Sequence, residues 1–456
     1  MQLIAIWLPW TLRLVVLAAL LWVMLRAYRA IASVSPWAGP VVAAGLAGRA
    51  ALGCLLFFVS YLDLPLLQSL HTGDGFWNLA PDARLYFDAA IDGVRNGPWT
   101  IPQHVPSPNF VAALSAWMWL VGVSPAAGAL LNICAYLLTC WVLARILRHD
   151  QAAALIGITA FTFSPALVVF GSQSLKDGFF AGVVACICAG AWRLMAPAAT
   201  ARPWKAGGIA AAVVILLGLF VVAGIRTYYA LFLWGALTIV LLGNAAMAGS
   251  RGRGLRLATA VLFSALAWTV LAAGAGARYD ALVSQFVSRS GDSSGEVAVA
   301  AVGAFDGARD RFIASGGNTN IGGQAGHGVT RRALAIARGL LLVFVPATLL
   351  SAAGLVHFRG GAGGAVALAD LDTLYVVLSL LAVLLLAWRR WRARELALPY
   401  ALFILLVAVP TALGLAYVVT NFGTLFRLRL LVSVPFWMLV LAAARPAGGA
   451  APGGRA

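Results

Sequence analysis

Charge is scarce in this 456-residue chain, with aspartate, glutamate, lysine and arginine together making up 10%. Lysine is nearly missing: Lys176 and Lys205 are the only two among 32 basic residues. So little charge cannot coat a water-soluble domain of this size, and apolar runs of 17 or more residues recur along the chain. The short alternating segments of a membrane β-barrel are absent, because these runs are continuous. What remains is an all-α polytopic membrane protein, since helices satisfy their own backbone in lipid.

Other absences narrow the chemistry. The five cysteines (Cys54, Cys134, Cys140, Cys186 and Cys188) all fall inside apolar runs without metal-binding spacing, and read as small buried hydrophobes. The five histidines (His71, His104, His149, His327 and His357) form no zinc motif, so no protein metal cage and no cofactor is expected, although a divalent ion brought in with a substrate stays open. "GSQSLKD" lacks the glycine of a nucleophile elbow, and "FRGGAGGA" precedes no Lys-Ser/Thr, so it is no phosphate loop. The N-terminus shows neither a basic leader nor a small-residue cleavage site and is read as a retained span. No fixed-period repeat is present.

The net charge of +17 invites a nucleic-acid reading, but the basic residues sit in short clusters between apolar runs, where they orient a membrane protein. No nucleic acid is expected as a partner. Abundant Ala, Gly and Arg match GC-rich bacterial coding, which places the chain in a bacterial cytoplasmic membrane. Eleven spans are expected at about 2–25, 46–66, 126–147, 152–170, 178–195, 207–224, 230–248, 257–275, 370–388, 395–418 and 428–444. Two further stretches, 109–123 and 336–357, are expected as re-entrant or juxtamembrane helices on the outer side. The first is short for a crossing, and Pro346 interrupts the second. Most basic residues, Arg49 and the 389–394 run included, then lie inside, with the N-terminus out and the C-terminus in. This divides the chain into an N-terminal membrane module (1–275) carrying an acidic outer loop (67–108), a long outer loop (276–369), C-terminal helices (370–444) and a disordered cytoplasmic tail (445–456).

The same placement gathers unusual polar groups on the outer side: Asp74, Asp82 and Tyr86 in the acidic loop, Lys176 with Asp177, Arg226 with Tyr228 and Tyr229, and Arg427 with Arg429. Outer cations run against the positive-inside bias and need another reason to be there, which an anionic ligand supplies. A guanidinium grips phosphate oxygens bidentately, and a carboxylate within reach can deprotonate a hydroxyl. At helical spacing Asp82 and Tyr86 share a face, while Asp88 and Asp92 point elsewhere. Asp82 is therefore the expected base, with Asp74 in the flexible "TGDGF" as runner-up.

"PDARLYFDAA" after an early span resembles the Asp-x-x-x-Tyr signature of GT-C-type membrane glycosyltransferases, the class of the protein mannosyltransferases and of bacterial lipid A and polysaccharide sugar transferases. The segment from "SPNFVAAL" to "CWVLARIL", then "FSPALVVFGSQSLKDGFF" and "NFGTLFRLRLLVSVPF", are similar in order to later segments of that class. The resemblance covers about two-thirds of the chain and departs from the mannosyltransferases at their Asp-Glu pair and Pro-Pro-Leu-Tyr-Tyr run. It implies a GT-C-like fold, a polyprenyl-phosphate sugar donor, a cell-envelope glycan or glycolipid acceptor, and inversion at the anomeric carbon. By motif position, Asp82 is the base and Lys176, Arg226, Arg427 and Arg429 are candidate ligands of the donor phosphate; Tyr86 joins the catalytic residues and Tyr228 the donor-binding ones, with Asp74 the runner-up base. Two other readings compete. An O-antigen-type polymerase or ligase would use Arg309, Arg311, Arg331 and Arg332 on a pyrophosphate, and a lipid-linked glycan flippase would show repeated halves.

Overall fold

The structure, a computed structural model, describes residues 10–78, 80–101, 105–195, 206–247, 253–277, 305–310, 313, 329–355, 363–420 and 422–444. The tail 445–456, much of the expected outer loop 276–369 and the start of the first expected span lie outside the described residues. The chain is an all-α polytopic membrane protein: among the described residues ten helices are long and apolar enough to cross a membrane, and a bent pair makes an eleventh.

The N-terminal part comprises α1 (Trp10–Ala32), α2 (Ala38–Tyr61), a hairpin of β1 (His71–Gly73) and β2 (Phe76–Trp77), α3 (Asp82–Asn96), α4 (Pro108–Val121) and α5 (Ala126–Ile146). There follow α6 (Gln151–Thr162), α7 (Pro165–Gly171), α8 (Lys176–Met195), α9 (Ala206–Ile225), α10 (Thr227–Ala246) and α11 (Arg253–Ala275). The C-terminal part has α12 (Val329–Phe344), α13 (Ala347–Ala352), α14 (Gly363–Arg392), α15 (Leu398–Val418), α16 (Phe422–Leu428) and α17 (Leu430–Met438). α16, α17 and the short helical turn after them form one span, Gly423–Ala443, the most deeply buried of the ten.

The first two expected spans shift. The first span runs on to Ala32, because Arg26 folds back over the Trp22 ring, 4.9 Å away, and does not end the helix. The second begins at Ala38, just past Pro36, and ends at Tyr61. Arg49, assigned above to the inner face, lies inside the bundle in the middle of α2. α4 has 14 residues, about 21 Å at 1.5 Å per residue, too short for a hydrocarbon core of roughly 30 Å. Pro346 does break the 336–357 stretch, between α12 and α13.

The reason for Arg49 is the expected span 152–170, which is broken: α6 and α7 meet at Phe163–Ser164 with a 49° bend. A helix interrupted in lipid leaves carbonyls at one end and N–H groups at the other without partners. Arg49 donates to the carbonyls of Phe161 and Thr162, both at 2.8 Å, with its guanidinium 3.9 Å from the Tyr136 ring centroid. On the other side Asp372 of α14 accepts from Ala166 N at 3.0 Å, while Ser164 Oγ accepts from Leu167 N. A cation thus meets the carbonyl end and an anion the amide end, as the helix dipoles favour.

The connection after α7 is clamped to α5. Asn132 donates to the carbonyls of Gln173 and Leu175 and accepts from Phe179 N. Gly128 permits this approach, since a Cβ there would stand 2.4 Å from Ser174 Cα. At the opposite end of the α6–α7 span Arg390 binds both Asp150 and Glu395 at 2.6 Å.

Gly128→Ala is therefore expected to destabilise the protein by about 1–3 kcal/mol, the usual cost of overpacking. Gly48→Ala, where a Cβ meets nothing within 4 Å, should be neutral or stabilising by up to about 1 kcal/mol through helix propensity. Thermal unfolding of the two purified variants in detergent checks the contrast.

Candidate functional site

The site begins at the first turn of α3. Ala83, Tyr86, Phe87, Ala90 and Val94 recur at helical spacing and are buried against the bundle, with Tyr86 edge-on to Phe110 at 5.4 Å. That orientation leaves Asp82 at the rim, its side chain 44% exposed, directed towards α16. The hairpin before it is fixed to the end of α2, where Trp77 Nε1 donates to Leu56 O and Ser60 Oγ to Phe76 O.

Three distant segments meet Asp82 there. Arg427 donates through Nη1 to Asp82 Oδ2 at 2.7 Å and through Nε to Asp177 Oδ2 at 2.5 Å. Asp177, 2% exposed, accepts on its other oxygen from Arg226 Nη2 at 2.8 Å. The result is an unbroken chain, Asp82–Arg427–Asp177–Arg226, running from the rim into the bundle. The Arg226 guanidinium lies 5.1 Å from the Phe180 ring centroid, and Tyr229 packs on the same ring.

Lys176 completes the group. Its Nζ donates to Ser107 Oγ at 2.6 Å and stands 5.4 Å from the centroid of the Tyr86 ring. Ser107 adopts a left-handed backbone, φ 59°, which costs an L-residue about 1–2 kcal/mol. The same hydroxyl reaches Ile225 O, so the strained residue ties the entry of α4 to both Lys176 and the end of α9. Burial pushes the Tyr86 hydroxyl above the ordinary phenol range, and the charge of Asp82 adds to the effect. Tyr86 therefore stays protonated at neutral pH.

Of the expected site residues the structure brings together Asp82, Tyr86, Lys176, Arg226 and Arg427. It does not bring in three others. Asp74 sits at the turn of the β1–β2 hairpin, φ 54°, with its carboxylate 76% exposed and 3.6 Å from Arg84. The expected freedom of "TGDGF" to swing inward is replaced by a formed hairpin. Tyr228 is half exposed, and its neighbour Tyr229 takes the inward face. Arg429 points away from Arg427, because residues two apart on a helix face opposite sides. It is fully buried, donating to Thr373 Oγ1 at 2.6 Å and Leu342 O at 3.1 Å, with Asp372 at 3.4 Å.

Two central residues went unassigned by sequence reasoning, Asp177 and Ser107. The signal for Asp177 was present: an acid at the start of an apolar span needs a partner inside the protein. Ser107 gave no such signal beyond preceding a proline.

Chemically, the cluster sets two guanidiniums and the Lys176 amino group against two carboxylates. Arg427 Nη2 and Arg226 Nε and Nη1 are buried and hydrogen-bonded to nothing among the described residues. Buried N–H donors without acceptors are costly and call for an acceptor, and on a guanidinium an anionic oxygen makes the strongest one. Asp82 Oδ1 accepts no hydrogen bond from the described residues, which leaves one oxygen of a half-exposed carboxylate open to a hydroxyl.

Asp177→Ala should destabilise the protein by about 3–5 kcal/mol, because it strands the buried Arg226 guanidinium and takes from Arg427 one of its two carboxylates. Asp82→Asn should cost about 1 kcal/mol or less, as a half-exposed ion pair contributes little. Chemical or thermal unfolding in detergent separates the two. No protein-family model, curated protein or solved structure matches this chain.

Proposed function

We propose that the chain is a membrane glycosyltransferase of the inverting, GT-C-like kind, moving a sugar from a polyprenyl-phosphate donor to a cell-envelope glycan or glycolipid acceptor. The observation that carries this reading is the contact of a half-exposed carboxylate, Asp82, with a guanidinium that keeps a buried unpartnered edge, Arg427. A base and a phosphate grip adjacent to one another are what sugar transfer from a lipid phosphate requires. In the proposed reaction the acceptor hydroxyl loses its proton to Asp82, and its oxygen forms the new bond to the anomeric carbon. The bond from that carbon to the phosphate oxygen breaks, its electron pair leaving with the polyprenyl phosphate. Arg427, backed by Arg226, and Lys176 stabilise the phosphate as it takes up charge. Tyr86, protonated, lines the site beside Lys176.

The proposed setting is a bacterial cytoplasmic membrane, with the Asp82 cluster facing outward and membrane lipids around the apolar helices. The basic run Arg389–Arg394 at the opposite end supports this orientation through the positive-inside bias. The pyrophosphate reading gains no support from its own residues. Arg309 donates to Tyr417 O and Arg332 to Asp306, which also accepts from Tyr417. Arg311 and the side chain of Arg331 lie outside the described residues.

In a deletion strain complemented with the wild-type chain, lipid-linked glycan analysis should show the sugar-bearing product. Complementation with Asp82→Asn should leave the unmodified acceptor to accumulate, with transfer reduced about 10²-fold or more, the usual contribution of a general base. Normal product with Asp82→Asn would remove the carboxylate from the mechanism. Orientation is tested separately, on a background with Cys54 replaced by Ser. A cysteine at Asp88 should react with an impermeant thiol reagent applied outside, and one at Arg394 only after permeabilisation. The reverse pattern would invert the proposed topology.

A further inference from the structure

Arg427 has five N–H groups to place, and the way they are placed is uneven. Its Nε is committed to Asp177, which is fully buried and held on its other oxygen by Arg226. Its Nη1 binds Asp82, a carboxylate at the rim on the first turn of α3. Its Nη2 is buried and bonded to nothing among the described residues. The edge formed by Nη1 and Nη2 is one of the two on which a guanidinium takes two phosphate oxygens at once, and on the other, Nε and Nη2, the Nε is held by Asp177. Half of the Nη1–Nη2 edge is occupied by the chain's own carboxylate.

We infer that Asp82 is an internal competitor for the phosphate site: it is latched on Arg427 until a phosphate oxygen displaces it, and the displacement frees it to act as base. This rests on the proposed function for the identity of the base, but the competition itself is a statement about anion binding. Asp177 cannot be the exchangeable partner, because leaving Arg427 would strand a carboxylate in the bundle interior. Asp82 can leave, since water covers nearly half of it already. The exchange conserves charge at the guanidinium, one anionic oxygen for another, and gains a partner for Nη2. Coupling of this kind is reciprocal: the factor by which Asp82 weakens phosphate binding is the factor by which phosphate releases Asp82. The enzyme would then hold its base in check until donor is bound, giving donor-first order and little wasteful activation of water.

The sign of one substitution decides the matter. A residue that merely helps to hold phosphate weakens binding when it is neutralised, whereas a competitor strengthens it. Binding of dodecyl phosphate, and separately of inorganic phosphate, is measured on the full-length protein in nanodiscs of zwitterionic lipid. Asp82→Asn should bind about five- to tenfold more tightly than wild type, a coupling of ordinary size. Asp88→Asn controls for simple loss of negative charge: it lies on the same helix, is 63% exposed and touches Arg84, not Arg427. It should bind within about twofold of wild type, as screened surface charges do. Tightening with dodecyl phosphate alone assigns the site to a lipid phosphate; equal tightening with inorganic phosphate assigns it to the free ion. Asp82→Asn binding no more tightly than Asp88→Asn overturns the latch, as does absence of binding to every form. Should the wild type bind and tighten as described yet transfer no sugar from any polyprenyl-phosphate donor, the latch stands and the transferase reading falls. Transfer without tightening has the opposite meaning.

Discussion

Asp177 is the residue on which the arrangement turns. A carboxylate enclosed by a helical bundle in a membrane is tolerable only if cations come to it, and two do, from segments 49 and 250 residues away in sequence. The need to satisfy one buried charge therefore fixes how α8, the α9–α10 turn and α16 stand against each other. Those three segments, with α3 and the Ser107 turn, are the walls of the site. The buried part of the cluster, Arg427–Asp177–Arg226, therefore cannot be loosened without cost to the fold, while Asp82 at the rim can.

A second constraint works in parallel at the broken span. Arg49 and Asp372 supply the charges that the severed ends of α6 and α7 require, and Asp372 in turn receives Arg429. Among the buried polar networks of the described residues, two meet at the α16–α17 segment. One opens at the rim through the half-exposed Asp82. The other is closed, with Arg429 and Asp372 both almost wholly shielded from solvent. Partial exposure is the physical difference between a group that can exchange partners and one that can only hold them.

Much of the fold was legible because the membrane makes sequence speak plainly. Long apolar runs had to be helices, and the short run at 109–123 and Pro346 marked where a crossing fails. The boundaries at Ala32 and Ala38 were not legible, since hydropathy reads Arg26 and Arg49 as marks of a span end and cannot see the Trp22 ring or the carbonyls of Phe161 and Thr162 that hold them within helices. For the site, joint sidedness was enough to group Asp82, Lys176, Arg226 and Arg427. It misled for Arg429, although the angular step of a helix separates it from Arg427 by simple counting. Asp177 beside Lys176 reads in sequence as a solvated turn between two spans, and that reading hides its burial. In the structure Lys176 turns to Ser107, and the carboxylate finds its cations across the bundle.

Arg427 and Arg429 serve the two networks from opposite faces of a single turn, and this shapes what inheritance can do to the segment. Leu428 between them packs against the core, so the segment is held by an apolar side chain as well as by the two cations. A one-residue insertion there would rotate everything beyond it by about 100°. It would unseat Arg427 or Arg429, whichever part of the chain yielded, and no compensating point change could restore both. Since α17 follows directly at Leu430 and leaves no slack to absorb an extra residue, the length of this stretch is under a tighter constraint than the identity of any one residue in it.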